Sequence, residues 1–308
     1  MNVINKFVCL LSAALISIIL SPASPGHAAQ AGGEEPFAPR IAYSSNSFVE
    51  VNIKDAQTLA SRLTDYIVNK KGGKSDTRIY TSLHGIEADL NSTNLDLVVL
   101  VASEYVKMKN RSLLEPVFLS ARDNDIYEQL VLLVRKDSGF RTIRELKGKV
   151  FINHRGQYAD LKNIWIETLV VKEGGRDIKK YFRFSKEVMK PSHAVLAVYF
   201  KQADFCVVTR NNFEVAAELN PQLHKDLFVL SESRPFAGGI IAIRKDYNSR
   251  NREIIMDSLE KLHKDVQGQQ LLTIFHKNKL VPFRPEYLTS LETILKEYKE
   301  LKVGTCKK

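Results

Sequence analysis

Apolar residues in this chain gather in two ways: short unbroken runs, and longer stretches where they recur every third or fourth position. The unbroken run at 205–208 is too short for a buried helix and reads as an interior parallel strand, and 95–101, with Asp96 near its start, reads as another buried strand. Residues 148–153, 129–137 and 239–246 read as strands in the same way, as do the shorter 40–43, 182–184 and 227–230. Residues 77–83 alternate like a strand, and 84–90 follow as a short helix. The helical period marks 54–69, with Leu59, Leu63, Ile67 and Val68 on one face, and 158–173, which carries Trp165 as a packing residue. It also marks 192–200, with Ala194, Val195, Ala197, Val198 and Phe200 apolar, and 250–266, 268–277 and 285–300. Gly72-Gly73 and Gly174-Gly175 stop two of these helices. Strands alternating with helices predict an α/β architecture.

One local pattern occurs twice. LDLVVLVASEYV (95–106) and ADFCVVTRNNFEV (203–215) share an Asp at the strand's mouth, an apolar strand, a polar cluster and a helix start. QLVLLVRKD (129–137) and GIIAIRKD (239–246) are strands with the same Arg-Lys-Asp ending. These echoes predict two similar lobes, each a mixed or parallel sheet flanked by helices, joined by two crossing strands. Lobe I takes residues 38–132 and 235–308, and lobe II residues 133–234.

The N-terminus changes the setting. Lys6 precedes an apolar run over 7–20, broken by Ser21-Pro22 and followed by the small residues of Gly26-His27-Ala28. That is the layout of a secretory signal peptide over 1–28, and the run is too short to span a bilayer. Residues 29–37 read as a disordered leader. The mature protein is expected in the periplasm or another extracytoplasmic space, released by cleavage.

The 308 residues carry a net charge of +10 and are 44% hydrophobic, enough for two lobes with real cores. The basic residues are spread along the chain without an arginine-rich arm, which disfavours nucleic acid and leaves an anionic membrane surface or an anionic small ligand. Cys206 and Cys306 follow the leader. Two unpaired thiols are the simpler reading, Cys206 as a small hydrophobe within its strand, though an oxidising compartment would permit a bridge. Neither has metal spacing, and neither metal nor cofactor is expected.

Phosphate-binding glycine loops, a nucleophile elbow and HExxH are missing from the sequence, and no Ser, His and Asp are tied into a triad. The expectation is a protein that is not an enzyme. What stands out instead is a set of polar clusters where strands end: Ser44, Ser45 and Asn46; Ser103; His154 and Arg155; Ser192 and His193; Thr209 and Arg210. In an open α/β sheet, ligands bind at the carboxyl ends of strands, and helix N-termini there favour anions. Hydroxyls, amides and guanidinium groups can all donate to an oxyanion. Each has an ordinary alternative: Ser45, Ser192 and Asn211 as helix caps, Arg155 and Arg210 as surface ion pairs.

With the leader and the crossing strands, the segments LKGKVFIN, SHAVLAVYFKQADFCVVT and DVQGQQLL resemble the periplasmic phosphate/phosphite/phosphonate-binding proteins of ABC importers. The resemblance covers about residues 38–285. It implies the type II periplasmic-binding-protein fold, a small ligand held between the lobes, and a membrane permease as partner of a monomeric receptor. A sensory module reporting to a membrane kinase or receptor is the alternative. Ser44 and Ser45 match the family's small hydroxyls after the first strand, and His193 matches its histidine near a helix start. Two segments depart from it. Phosphonate binders carry a Ser-Thr-Ser-like run where this chain has Arg155-Gly156-Gln157-Tyr158-Ala159-Asp160. They often carry a Tyr where the strand here ends Leu100-Val101-Ala102. Asp160 would repel an oxyanion unless paired.

Overall fold

The computed structural model describes residues 37–48, 51–69, 73–185 and 187–306; the expected signal peptide and nearly all of the expected leader lie outside them. The chain enters on β1 (Arg40–Ser44), crosses α1 (Ile53–Asn69) to β2 (Asp76–Tyr80), and passes α2 (Leu83–Asn91) to β3 (Leu97–Val101), α3 (Ala102–Lys107) and β4 (Leu114–Ala121). β5 (Tyr127–Glu128) leads to β6 (Leu130–Arg135), β7 (Val150–Ile152), α4 (Ala159–Lys172), α5 (Ile178–Tyr181), β8 (Arg183–Phe184), α6 (Pro191–Tyr199), β9 (Phe205–Thr209), α7 (Arg210–Leu219), α8 (Gln222–Asp226) and β10 (Leu227–Glu232). The chain returns through β11 (Phe236–Ala237) to β12 (Gly239–Arg244), α9 (Ser249–Lys261), α10 (Val266–Ile274), β13 (Lys279–Pro282) and α11 (Thr289–Cys306).

These strands build one sheet in the order β13-β4-β12-β3-β1-β2, a second in the order β10-β6-β9-β7-β8, and a two-stranded ribbon of β11 and β5. In the first, β1 pairs parallel with β2 and β3 while β12 runs antiparallel to β3 and β4. In the second, β9 is parallel to β7 and antiparallel to β6. The apolar runs fall at the centres of these sheets: β9 is buried throughout, and β3 is buried except at Val99. Covered on both faces, such strands need no alternation.

The repeated Asp has the same task in both sheets. Asp96 accepts the Arg40 amide at 2.8 Å and returns its own amide to the Arg40 carbonyl at 2.9 Å. Asp204 accepts the Val150 amide at 2.6 Å and donates to the Val150 carbonyl at 2.9 Å. Each thus fixes the register of a parallel pair at its entrance, where no turn can do so.

Three features of the structure bear on the lobes expected from the sequence. The crossing segments are the β5–β11 ribbon, whereas β6 and β12 lie inside the second and first sheets. A division after 132 would cut β6. Helix α11, placed with lobe I on chain order, packs against α4 of the second sheet's lobe: Leu291, Ile294 and Leu295 join Trp165, Ile166 and Val170 in one cluster. Glu167 accepts from Tyr298 at 2.7 Å and pairs with Lys302 at 2.6 Å, and Lys172 pairs with Glu297 at 2.6 Å. The same apolar cluster runs on through Phe236, Tyr158 and Leu100, so the cores of the two lobes are continuous beside the ribbon. Separate clusters cover the far faces, under α1, α9 and α10 on one sheet and under α6 and α7 on the other.

Candidate functional site

The carboxyl ends of β1 and β3 lie side by side, and the polar residues there converge. Ser44 ends β1 and caps the turn after it, accepting the Asn46 amide at 3.2 Å. Its hydroxyl donates to Glu104 Oε1 at 2.9 Å, and Asn46 Nδ2 donates to the same oxygen at 2.7 Å. Glu104 sits in the first turn of α3 next to buried Ser103 and is only 8% exposed. Its other oxygen, Oε2, is buried and has no hydrogen-bond partner. Burial pushes the Glu104 carboxyl above the usual range, while Asn46, Ser44 and the Val101 backbone act in the opposite direction.

The segment between β7 and α4 lies close to this cluster. Tyr158, in the left-handed region at φ 59°, is the residue before α4. For a bulky side chain this is a strained conformation, and strain of that kind gathers at functional sites. Its ring packs edge-on against Phe236 of the ribbon, 5.2 Å between centroids. Gly238 makes this possible, because a side-chain carbon there would lie 3.2 Å from both Tyr158 Oη and Glu128 Cγ. Tyr158 is 2% exposed, and its hydroxyl, like Glu104 Oε2, has no partner. Burial, then the Glu128 and Glu104 carboxylates, push its phenol well above the ordinary value.

Two ion pairs frame the seam. Lys107 of α3 reaches Asp160 of α4 at 2.7 Å, which answers the repulsion expected from that aspartate. Lys277 pairs with Glu128 of β5 at 2.6 Å, both almost fully buried. A narrow, mostly apolar cavity of about 60 Å³ runs from Gln157, Lys277 and Ser120 toward the first sheet's core. On the ribbon side a wider groove of about 510 Å³ is lined by Arg122, Glu128, Arg210 and Asn211.

The predicted residues therefore divide. Ser44, Asn46 and Ser103 gather at Glu104. Ser45 contributes its backbone carbonyl, which accepts the Phe48 amide at 3.2 Å. Thr209 caps α7, accepting the Asn212 amide at 3.1 Å. Arg210 is held by Gln129 at 3.2 Å and by Glu232, and Arg155 by Glu187, so both guanidinium groups are engaged in ion pairs. His154 is turned inward: its Nε2 meets Lys162 Nζ at 2.6 Å and its Nδ1 the Arg155 carbonyl at 3.0 Å. Burial, reinforced by the Lys162 charge, lowers the imidazole to about 3. Helix α6 begins at Pro191 with Lys190 as its cap, so Ser192 is not the cap, and His193 is exposed in the first turn. Glu104 and Tyr158 were not among the predicted residues, although each adjoins a polar cluster that was.

Residues 52–288 match the family described as ABC transporter, phosphonate, periplasmic substrate-binding protein. No curated protein sequence matches the chain. Among solved structures, a binding-protein component of an ABC phosphonate transporter from Pseudomonas aeruginosa is similar at a TM-score of 0.66 and 14% identity, covering 88% of this chain and 89% of that one. PhnD1 of Prochlorococcus marinus, solved with methylphosphonate, gives 0.62 and 14%, covering 86% of this chain and 99% of that one. A Xanthomonas citri protein bound to chloride gives 0.66 and 12%, covering 87% and 99%. These likenesses show the type II periplasmic-binding-protein fold, and the family carries a solute-binding role in an importer, with a small ligand and a membrane permease as partners. The chain belongs to the phosphonate periplasmic substrate-binding family of ABC transporters.

Proposed function

We propose that this protein captures a small phosphorus oxyanion, of the phosphonate, phosphite or phosphate kind, between its lobes and hands it to the permease. The observation that carries this reading is the buried cluster of Ser44, Asn46 and Glu104, which leaves one polar atom open at the seam where α4 meets α3. Such clusters are costly unless something completes them. The ligand would sit between Glu104 on one side and Tyr158 on the other, and the lobes would rotate about the β5–β11 ribbon to enclose it. In this reading the protein works as a monomer that binds without catalysis, has no use for nucleic acid, and reaches the periplasm through a cleaved signal peptide over 1–28.

Isothermal titration of the mature chain with methylphosphonate, phosphite and phosphate at pH 7 tests it. Saturable binding to at least one, weakened in a Ser44→Ala/Asn46→Ala double variant, is expected. Binding to none of them would refute the oxyanion reading. A ligand at about 100 times its dissociation constant should also raise unfolding stability by about 2.7 kcal/mol.

A further inference from the structure

Strand β3 holds one residue that its central position does not explain. Val98 and Leu100 are sealed within the first sheet, yet Val99 between them is only half-buried. Its side chain belongs to the face under α1, α9 and α10, where a core residue should be covered. What it meets there is the cavity of about 60 Å³. The inner lining is hydrocarbon, from Leu63, Ile67, Leu97, Leu259, Leu272 and Leu280. Polar side chains enter the lining at Ser47, Ser120, Gln157 and Lys277, besides Tyr43, whose hydroxyl is turned to Thr64 at 3.1 Å. Strand alternation puts Gly239 on the same face as Ile241 and Ile243 of β12. A Cβ on Gly239 would lie 2.5 Å from Ser120 Oγ, so a larger residue there would have to displace the serine. This polar end adjoins the cluster already described. Ser47 follows Asn46, Val101 precedes the helix that carries Glu104, and Gln157 precedes Tyr158.

We propose that this cavity is a subsite for the carbon substituent of the ligand, and that it selects short, unbranched alkylphosphonates. The proposal rests on the oxyanion reading above and narrows it to one of the three kinds of anion. A cavity lined by leucine and isoleucine stays dry, so hydrocarbon and not water is what completes it. Phosphate has nothing to place there, because every direction from its phosphorus ends in oxygen. A phosphonate has one carbon–phosphorus bond. With its oxygens at the polar end, among Ser120, Gln157 and Lys277, the carbon chain leads into the apolar lining beside Val99. A water-sized group needs about 10–15 Å³ of such space, so this cavity takes a chain of about four carbons. Branching at the first carbon is excluded, since one further carbon between Gly239 and Ser120 already collides.

The test is titration calorimetry of the mature chain with phosphate and with methyl-, ethyl-, propyl-, butyl-, hexyl- and tert-butylphosphonate at pH 7. From methyl to butyl, affinity should rise about fourfold per carbon, the value of one buried methylene, or roughly sixtyfold in all. Hexylphosphonate should gain nothing further, and tert-butylphosphonate and phosphate should bind no tighter than methylphosphonate. Val99→Ala enlarges the cavity and should lengthen the best chain by about one or two carbons, whereas Val99→Ile fills it and should shorten the best chain by about one. Equal affinity for methyl- and butylphosphonate would overturn the subsite, as would tert-butylphosphonate binding as tightly as its linear isomer, or folded Val99 variants whose best chain length stays unmoved. Each of these results leaves the oxyanion reading standing, as does binding of phosphate alone, which also removes the subsite. If neither phosphate nor any phosphonate binds, the oxyanion reading fails and this one with it. The wild-type series requires no variant to fold.

Discussion

Removing Lys277 tests whether its buried ion pair with Glu128 holds the ribbon in place. Lys277 Nζ lies 2.6 Å from Glu128 Oε1, with the two side chains 8% and 9% exposed. Lys277→Met deletes the ammonium but keeps the bulk of the stem. Glu128 is then a buried charge between Tyr158 and Gly238 with no partner, and breaking such a pair from one side costs about 3–5 kcal/mol. Replacing both residues, Lys277→Met with Glu128→Gln, removes the uncompensated charge and should recover most of that loss. The readout is urea denaturation of all four proteins, with the midpoint and slope reported together. A Lys277→Met loss below about 1 kcal/mol, or a double variant as unstable as the single, would show that the pair is not what fixes β5.

Three further outcomes follow from groups already described. Cys206 is fully buried and its thiol is pushed up to about 12 by burial, so a disulfide reagent should leave it unmodified in native protein and label it only under denaturant. His154 is neutral in the fold down to about pH 3 against an ordinary value of 6.5, so stability should be complete above 6.5 and fall as pH drops toward 3, by up to about 1.4 kcal/mol per unit; thermal melts of His154→Gln should show a shallower decline. Asp160→Asn removes a carboxylate from the first turn of α4, and the titration described for methylphosphonate should show affinity rising roughly two- to fivefold, the scale of a helix-terminus charge; unchanged affinity would place the ligand away from that turn.

The interior strands were legible because burial on both faces leaves an unbroken apolar run, as in β9. The matching aspartates were visible too, and their backbone bonds at Arg40 and Val150 explain why the pattern recurs. β4 and β13 were harder to see: Pro116 and Glu115 interrupt the first, and the second is four residues ending in Pro282. An amphipathic pattern shows that α11 has a buried face but not which helix covers it, so chain order alone could not reveal its packing on α4. Pro191 moved the start of α6 ahead of Ser192, since proline suits the first helical position. Among the site residues, Ser44 and Asn46 were recognisable as donors, but their acceptor was not, because a glutamate in a first helical turn normally faces water. The arginines misled for the opposite reason: Glu187 and Glu232 are far along the chain, and nothing local announces that they neutralise Arg155 and Arg210.

Helix α11 has a consequence for how the molecule comes apart. Its apolar side packs on α4, and the Glu167–Lys302 and Lys172–Glu297 pairs tie the two helices together. Lobe II cannot melt first without stripping the helix that closes lobe I's chain, and lobe I cannot melt first without exposing Trp165's surroundings. Two lobes built on separate sheets should therefore unfold in one cooperative step, with Trp165 fluorescence and far-ultraviolet ellipticity sharing a single midpoint. Under the proposed rotation about the ribbon, such a clasp would separate opening of the lobes from unravelling of the chain.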